Sequence, residues 1–167
     1  MSDDEGFPVP PLSLLPRLTE LQAVNRADFS LNSLINIEGN LDLAVAHAQY
    51  FWPEFVEVES CIIFKDRFNS ENLQNWIQSL EGDLSRVESI INHTHFYDFT
   101  LNDPRQEEQQ LETYEYLAKV AMRTWRAALA EQFPDRRFEF RYVTEPDDYG
   151  PTLYFCQIRD VPEGDSK

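Results

Sequence analysis

Two of the chain's three histidines stand in the segment HTHFYDF as His93-x-His95, with Asp98 three residues further on. On extended backbone, residues i and i+2 point the same way. The spacing therefore turns two imidazoles toward one metal ion, with Asp98 or His47 as a third ligand. A metal-dependent enzyme or metal-binding protein using His93, His95 and Asp98 is one function this pattern permits. The competing reading is structural. His93 follows Ile90, Ile91 and Asn92, a helical pattern whose last carbonyls favour a partly cationic side chain, and His95 then belongs to the segment beyond. A working site needs three or four ligands and a supporting shell, which this stretch does not announce. The sequence predicts a helix end, with no metal and no cofactor.

Nucleophilic chemistry has less behind it. Cys61 and Cys156 lie in apolar runs that read as strands, where a thiol stays protonated and packs as a small hydrophobe. No serine occupies a G-x-S-x-G context and no glycine-rich phosphate loop occurs. Carboxylates are so abundant that no pair of them singles itself out for acid–base work.

What the carboxylates do make is a field. Thirty acidic residues against fourteen basic ones give a formal net charge of −16. Such a surface repels nucleic acid and anionic membranes and draws in basic proteins. The stretch EPDDYGP places Glu145, Asp147, Asp148 and Tyr149 at the tip of an expected hairpin, and loops held by a rigid scaffold commonly carry binding residues. Glu108, Glu112 and Glu115 share one face of a long predicted helix. These seven residues are the candidate partner contacts.

The expectation is an acidic binding protein, not an enzyme, that occludes a basic protein partner. An immunity protein or antitoxin fits best, an inhibitor whose carboxylates sit where phosphates would sit in a nucleic-acid-directed toxin enzyme. A non-catalytic adaptor whose charge serves solubility is the remaining alternative. The acidic, proline-rich opening MSDDEGFPVPPL lacks the order of a signal peptide, and no apolar run approaches a membrane span. A cytoplasmic protein is expected.

The elements that must position these residues follow from periodicity. Residues 1–16 read as a flexible tail, 17–160 as one α+β domain and 161–167 as a second tail. RLTELQAV predicts a short helix with Leu18, Leu21 and Val24 inward, while ADFSLNSLINIEGN fits neither period. Asn40 caps a helix whose Leu41, Ala44, Val45, Ala48 and Trp52 form an inward stripe, ended by Pro53. FVEVESCIIFK predicts a strand over about 55–64, with Glu57 and Glu59 on one side, facing Arg137 or Arg141 across a sheet. A helix capped at Asn69 or Ser70 buries Leu73, Trp76, Ile77 and Leu80 and closes at Gly82. Another begins with a Ser85-x-x-Glu88 capping box. The strongest signal is a long helix over about 104–132, its stripe running through Leu111, Tyr114, Ala118, Ala121, Trp125 and Ala128. Strands at about 137–144 and 152–159 then form a hairpin. Together these give a three-stranded, mostly antiparallel sheet (55–64, 137–144, 152–159) packed against several helices.

Overall fold

Helices occupy most of the first half of the chain and the strands gather late, in a computed structural model that describes residues 9–25, 29–100, 107–144 and 150–159. The elements in order are α1 (Pro16–Asn25), α2 (Leu31–Glu38), α3 (Leu41–Phe51), β1 (Phe55–Val58), β2 (Cys61–Phe64), α4 (Ser70–Ser79), α5 (Leu84–Ile91), β3 (Thr94–His95), α6 (Glu107–Gln132), β4 (Phe138–Val143) and β5 (Thr152–Gln157). The α+β class, the long helix and the three-stranded antiparallel sheet are as the sequence predicts. Short 3₁₀ turns follow β2 and β3. No described helix is long and apolar enough to cross a membrane.

The third strand of that sheet is a different one. Strand β5 is central, paired antiparallel with β4 on one edge and with Thr94–His95 on the other. Residues 55–64 do not run straight. They fold on themselves as an antiparallel hairpin, Val58 opposite Cys61, and make a separate two-stranded sheet. Glu59 and Ser60 form its turn, both with positive φ (51° and 63°), the backbone of the tight turns that match strand twist. Glu57 pairs with Arg136 at 3.1 Å, one residue from the partner expected.

The core is aromatic. Phe155 on β5 meets Phe55, Phe64 and Phe140 at ring separations of 5.5, 5.4 and 5.3 Å. Trp125 of α6 closes on Phe64 at 4.9 Å. The predicted α6 stripe is buried from Tyr114 through Ala118, Ala121, Trp125 and Ala128 to Leu129, whereas Leu111 is exposed. Asn69 caps α4 through Asn72 N–H, and Gly82 takes the left-handed conformation (φ 82°). Leu18 is buried but Val24 is exposed.

Helix α5 sits between the two sheets, and its polar residues join them. Glu88 is fully buried. Its Oε1 accepts Ile62 N–H of β2 at 2.7 Å and its Oε2 accepts Gln157 N–H of β5 at 2.6 Å. Arg159 completes the carboxylate's shell, Nη2 to Oε1 at 2.8 Å and Nη1 to Oε2 at 2.9 Å. One turn on, buried Asn92 accepts Phe64 N–H (3.2 Å) and donates to Ile62 O (2.9 Å) and Phe155 O (3.5 Å). Where a strand ladder would run from β2 to β5, two side chains at i and i+4 supply the donors and acceptors. This overturns the capping box: Asp83, not Ser85, caps α5 by accepting Arg86 N–H, and Glu88 faces inward.

Candidate functional site

Two surfaces stand out once the fold is assembled: a polar groove at the histidines and an apolar arm at α2–α3.

The groove, about 610 Å³, runs between α5 and the outer face of the β4–β5 hairpin. Strand alternation puts Phe138, Phe140, Leu153 and Phe155 on the core side, which leaves Glu139, Arg141, Thr152, Tyr154 and Cys156 facing out into it. His93 and His95 close one end, with their rings 4.7 Å apart, on one side of the chain as the H-x-H spacing requires. The Nδ1–H of His93 donates to Ile90 O, a terminal carbonyl of α5. That is the helix-end role expected from its position. His95 Nδ1 lies 2.7 Å from Thr152 Oγ1, whose own proton goes to Gly150 O at 2.9 Å. The hydroxyl therefore accepts and the imidazole Nδ1–H donates.

Two imidazoles by themselves are too few to hold a metal ion. Asp98 lines a smaller neighbouring cavity with both histidines, Arg67 and Tyr50. Among the described residues no group of three His, Cys, Asp or Glu side chains is placed to hold a metal ion, and His47 is out on α3. Arg67 donates to His93 O and Thr94 Oγ1 and lies 4.2 Å over the Phe64 ring; burial lowers its pKa from the ordinary guanidinium value. It anchors the histidine segment to the core.

Both thiols lie on strands and neither is in a disulfide; Cys61 is buried as the sequence predicts, whereas Cys156 is half-buried and faces the groove. Burial pushes Cys61 up to about 11. Burial also raises Cys156, against a weaker downward pull from the Ser89 hydroxyl. Neither is a thiolate near neutral pH, so neither is an activated nucleophile.

The acidic candidates are placed unevenly. Glu145, Asp147, Asp148, Tyr149 and the side chain of Glu108 lie outside the described residues. Glu112 and Glu115 are exposed on α6, beside a cleft shared with Val9, Pro11 and Tyr116, and Glu115 pairs with Lys119 at 2.8 Å.

The arm was not foreseen. Ser30 and Ser33 cap α2 reciprocally, and Asn40 caps α3 by accepting Leu43 N–H at 3.0 Å, so both helices are well started. Gly39 joins them where a Cβ would lie 2.2 Å from Ile35 O. Both ends of the arm are pinned. Arg17 bonds Glu38 (2.8 Å) at the close of α2, and Trp125 Nε1–H bonds Tyr50 O (2.8 Å) at the close of α3. Between those points nothing is buried. Leu41 is 85% exposed and Val45 71%, although the sequence puts them on an inward stripe. Over Leu41 and Val45 the stripe turns outward because no described element lies opposite it. A signal was present: Leu43 and Ala46 are apolar off the stripe, so α3 carries apolar residues on more than one face, beside a polar strip at Asp42 and Gln49.

No protein-family model, no curated protein and no solved structure matches this chain.

Proposed function

We propose that the chain is a non-catalytic binding protein that occludes a basic protein partner, in the manner of an immunity protein or antitoxin that inhibits a toxin enzyme. One observation carries the reading: the surplus acid is displayed. Among the described residues, Glu88 is the one buried carboxylate, and it is matched by Arg159. Most of the remaining carboxylates reach solvent, where their field acts over about a Debye length and accelerates encounter with a cationic surface. The free thiols fit a reducing compartment, and a cytoplasmic location is part of the proposal.

The test is co-expression with the products of the adjacent genes. A basic product should co-purify, and its affinity should fall at least tenfold as salt is raised from physiological to several times that level. Binding that ignores salt, or a partner with no basic face, would overturn the reading. So would turnover of a small substrate by the chain alone. Charge reversal at Glu112 together with Asp147 and Asp148 should slow association more than it speeds dissociation.

A further inference from the structure

We propose that the α2–α3 arm is a dimerisation element, and that what covers it is a second copy of this chain. Three observations lead there. The first is size. Ile35, Ile37, Leu41, Leu43, Val45 and Trp52 are 49 to 85% exposed. At ordinary side-chain dimensions they present roughly 700 Å², close to the ~800 Å² that each partner contributes to an interface of standard size. An apolar patch this large is uncommon on a protein that functions alone.

The second is shape. The outer turns of α3 are exposed on every side, Leu41 and Val45 on one and Leu43 on another. A flat surface would cover one side and leave the other wet. A two-fold pairing lays the arm of each copy against the arm and body of the other, so that apolar residues on more than one side of the helix acquire neighbours.

The third is charge, and it selects the occupant. Residues 29–53 contain two of the thirty acidic residues, Glu38 and Asp42, and no lysine or arginine. Glu38 is already paired with Arg17. In a chain with thirty acidic residues and a net charge of −16, the arm is acid-poor, with a net charge of −2. A surface built for a cationic partner would gather them. A surface built for a copy carrying the same charge must leave them out, because like charges brought together at an interface cost several kcal/mol. The acid-rich body and the acid-poor arm are thus two surfaces for two occupants, and the dimer does not depend on the basic-partner reading.

The experiment is sedimentation of the purified full chain over a concentration series, repeated at high salt. The expected species has twice the 19.6-kDa chain mass. Its dissociation constant should fall about threefold or more as salt screens the two acidic bodies, the reverse of what salt does to a complex with a basic protein. The double variant Leu41→Asp, Val45→Asp should sediment as a single chain with an unchanged circular dichroism spectrum, and should still bind any basic partner. A wild-type chain that stays monomeric up to near-millimolar concentration overturns the proposal without reference to any variant. A dimer that weakens with salt, or that survives both aspartates in a folded variant, overturns it too. A wild-type chain that binds a basic partner but never dimerises fails the dimer proposal alone, and one that dimerises but binds no basic partner fails the basic-partner reading alone.

Discussion

Helices α3 and α5 invert each other. Helix α3, LDLAVAHAQYF, is mostly apolar yet has no fully buried residue; α5, LSRVESII, is half polar and buries a glutamate completely, with Asn92 buried just beyond its end. Composition alone would place them the other way round. What decides is the surface each helix faces. Between β2 and β5 the backbone leaves Ile62 N–H, Ile62 O, Phe64 N–H, Phe155 O and Gln157 N–H to be satisfied away from water. A leucine there would strand all of them, each at about 1–3 kcal/mol. Glu88 and Asn92 are inside because their neighbours are polar, and Leu41 and Val45 are outside because no described element of the protomer covers them.

The largest test of this contrast is Glu88→Ala. The change leaves two strand N–H groups and the Arg159 guanidinium without their shared acceptor, and should cost about 3–5 kcal/mol, the range for breaking a buried charged pair. In a domain of this size the melting temperature should drop by on the order of 10 °C. Arg159→Ala should cost clearly less, since Glu88 keeps both strand bonds and Arg159 is only partly buried. If the two variants are equal, or if Glu88→Ala costs under about 1 kcal/mol, the carboxylate is not what joins the sheets. Denaturant titration of both variants decides it.

Titration offers a second test, at the body's inner face. Cys61 packs with Ile63, Leu73 and Val87. Unfolded, its thiol ionises near 9.0, and folded it does so at about 11. Stability from the neutral thiol is complete below pH 9.0 and is lost as pH climbs toward about 11, because unfolding then releases a proton. Burial raises Tyr142 to about 12, which acts in the same direction higher up. Alkylation at mildly alkaline pH should mark Cys156 well before Cys61. Equal labelling rates would mean that the interior opens as readily as the surface.

Some of this was legible in the sequence and some was not, for identifiable reasons. The α6 stripe from Tyr114 to Leu129 was legible because one face meets one core over many turns, and a 3.6-residue period accumulates signal. The β4–β5 hairpin was legible because alternation at Phe138, Phe140 and Tyr142 repeats a period of two. The 55–64 turn was not, since Glu59–Ser60 lacks the Asn-Gly signature of a turn with two positive φ values. Glu88 was misread because Ser85-x-x-Glu88 satisfies a local rule while a non-local demand, two strand edges meeting one helix, wins. Of the H-x-H pair, His93 was read correctly as a helix end, since Ile90 O lies within the same turn, whereas His95, expected in a loop, is in strand β3. The arm's exposure was out of reach for a simpler reason: periodicity says which residues share a face, not whether anything lies opposite.

The same side-chain truncation, made in both regions, sharpens the contrast at smaller cost. Val87 of α5 is fully buried and Val45 of α3 is exposed. Val87→Ala should destabilise by about 2 kcal/mol through lost burial and the cavity left behind. Val45→Ala, measured at a dilution that keeps protomers apart, should fall within about 0.5 kcal/mol of wild type. At concentrations where the chain pairs, Val45→Ala should instead weaken the dimer. A Val45→Ala penalty as large as that of Val87→Ala at dilution would mean that the arm packs on its own protomer.

The smallest effect has the opposite sign. Ser60 holds φ 63° in the β1–β2 turn, a conformation that costs a residue with a Cβ and costs glycine nothing. Its carbonyl accepts Arg159 Nη2–H at 2.7 Å, a backbone bond that a glycine keeps. Ser60→Gly should therefore stabilise the body by up to about 1 kcal/mol, less the extra freedom glycine gives the unfolded chain. The gain should shrink in an Arg159→Ala background if the guanidinium is what holds the strained turn in place. An unchanged gain would separate the hairpin from the Glu88 junction and reduce the joint between the sheets to α5 alone.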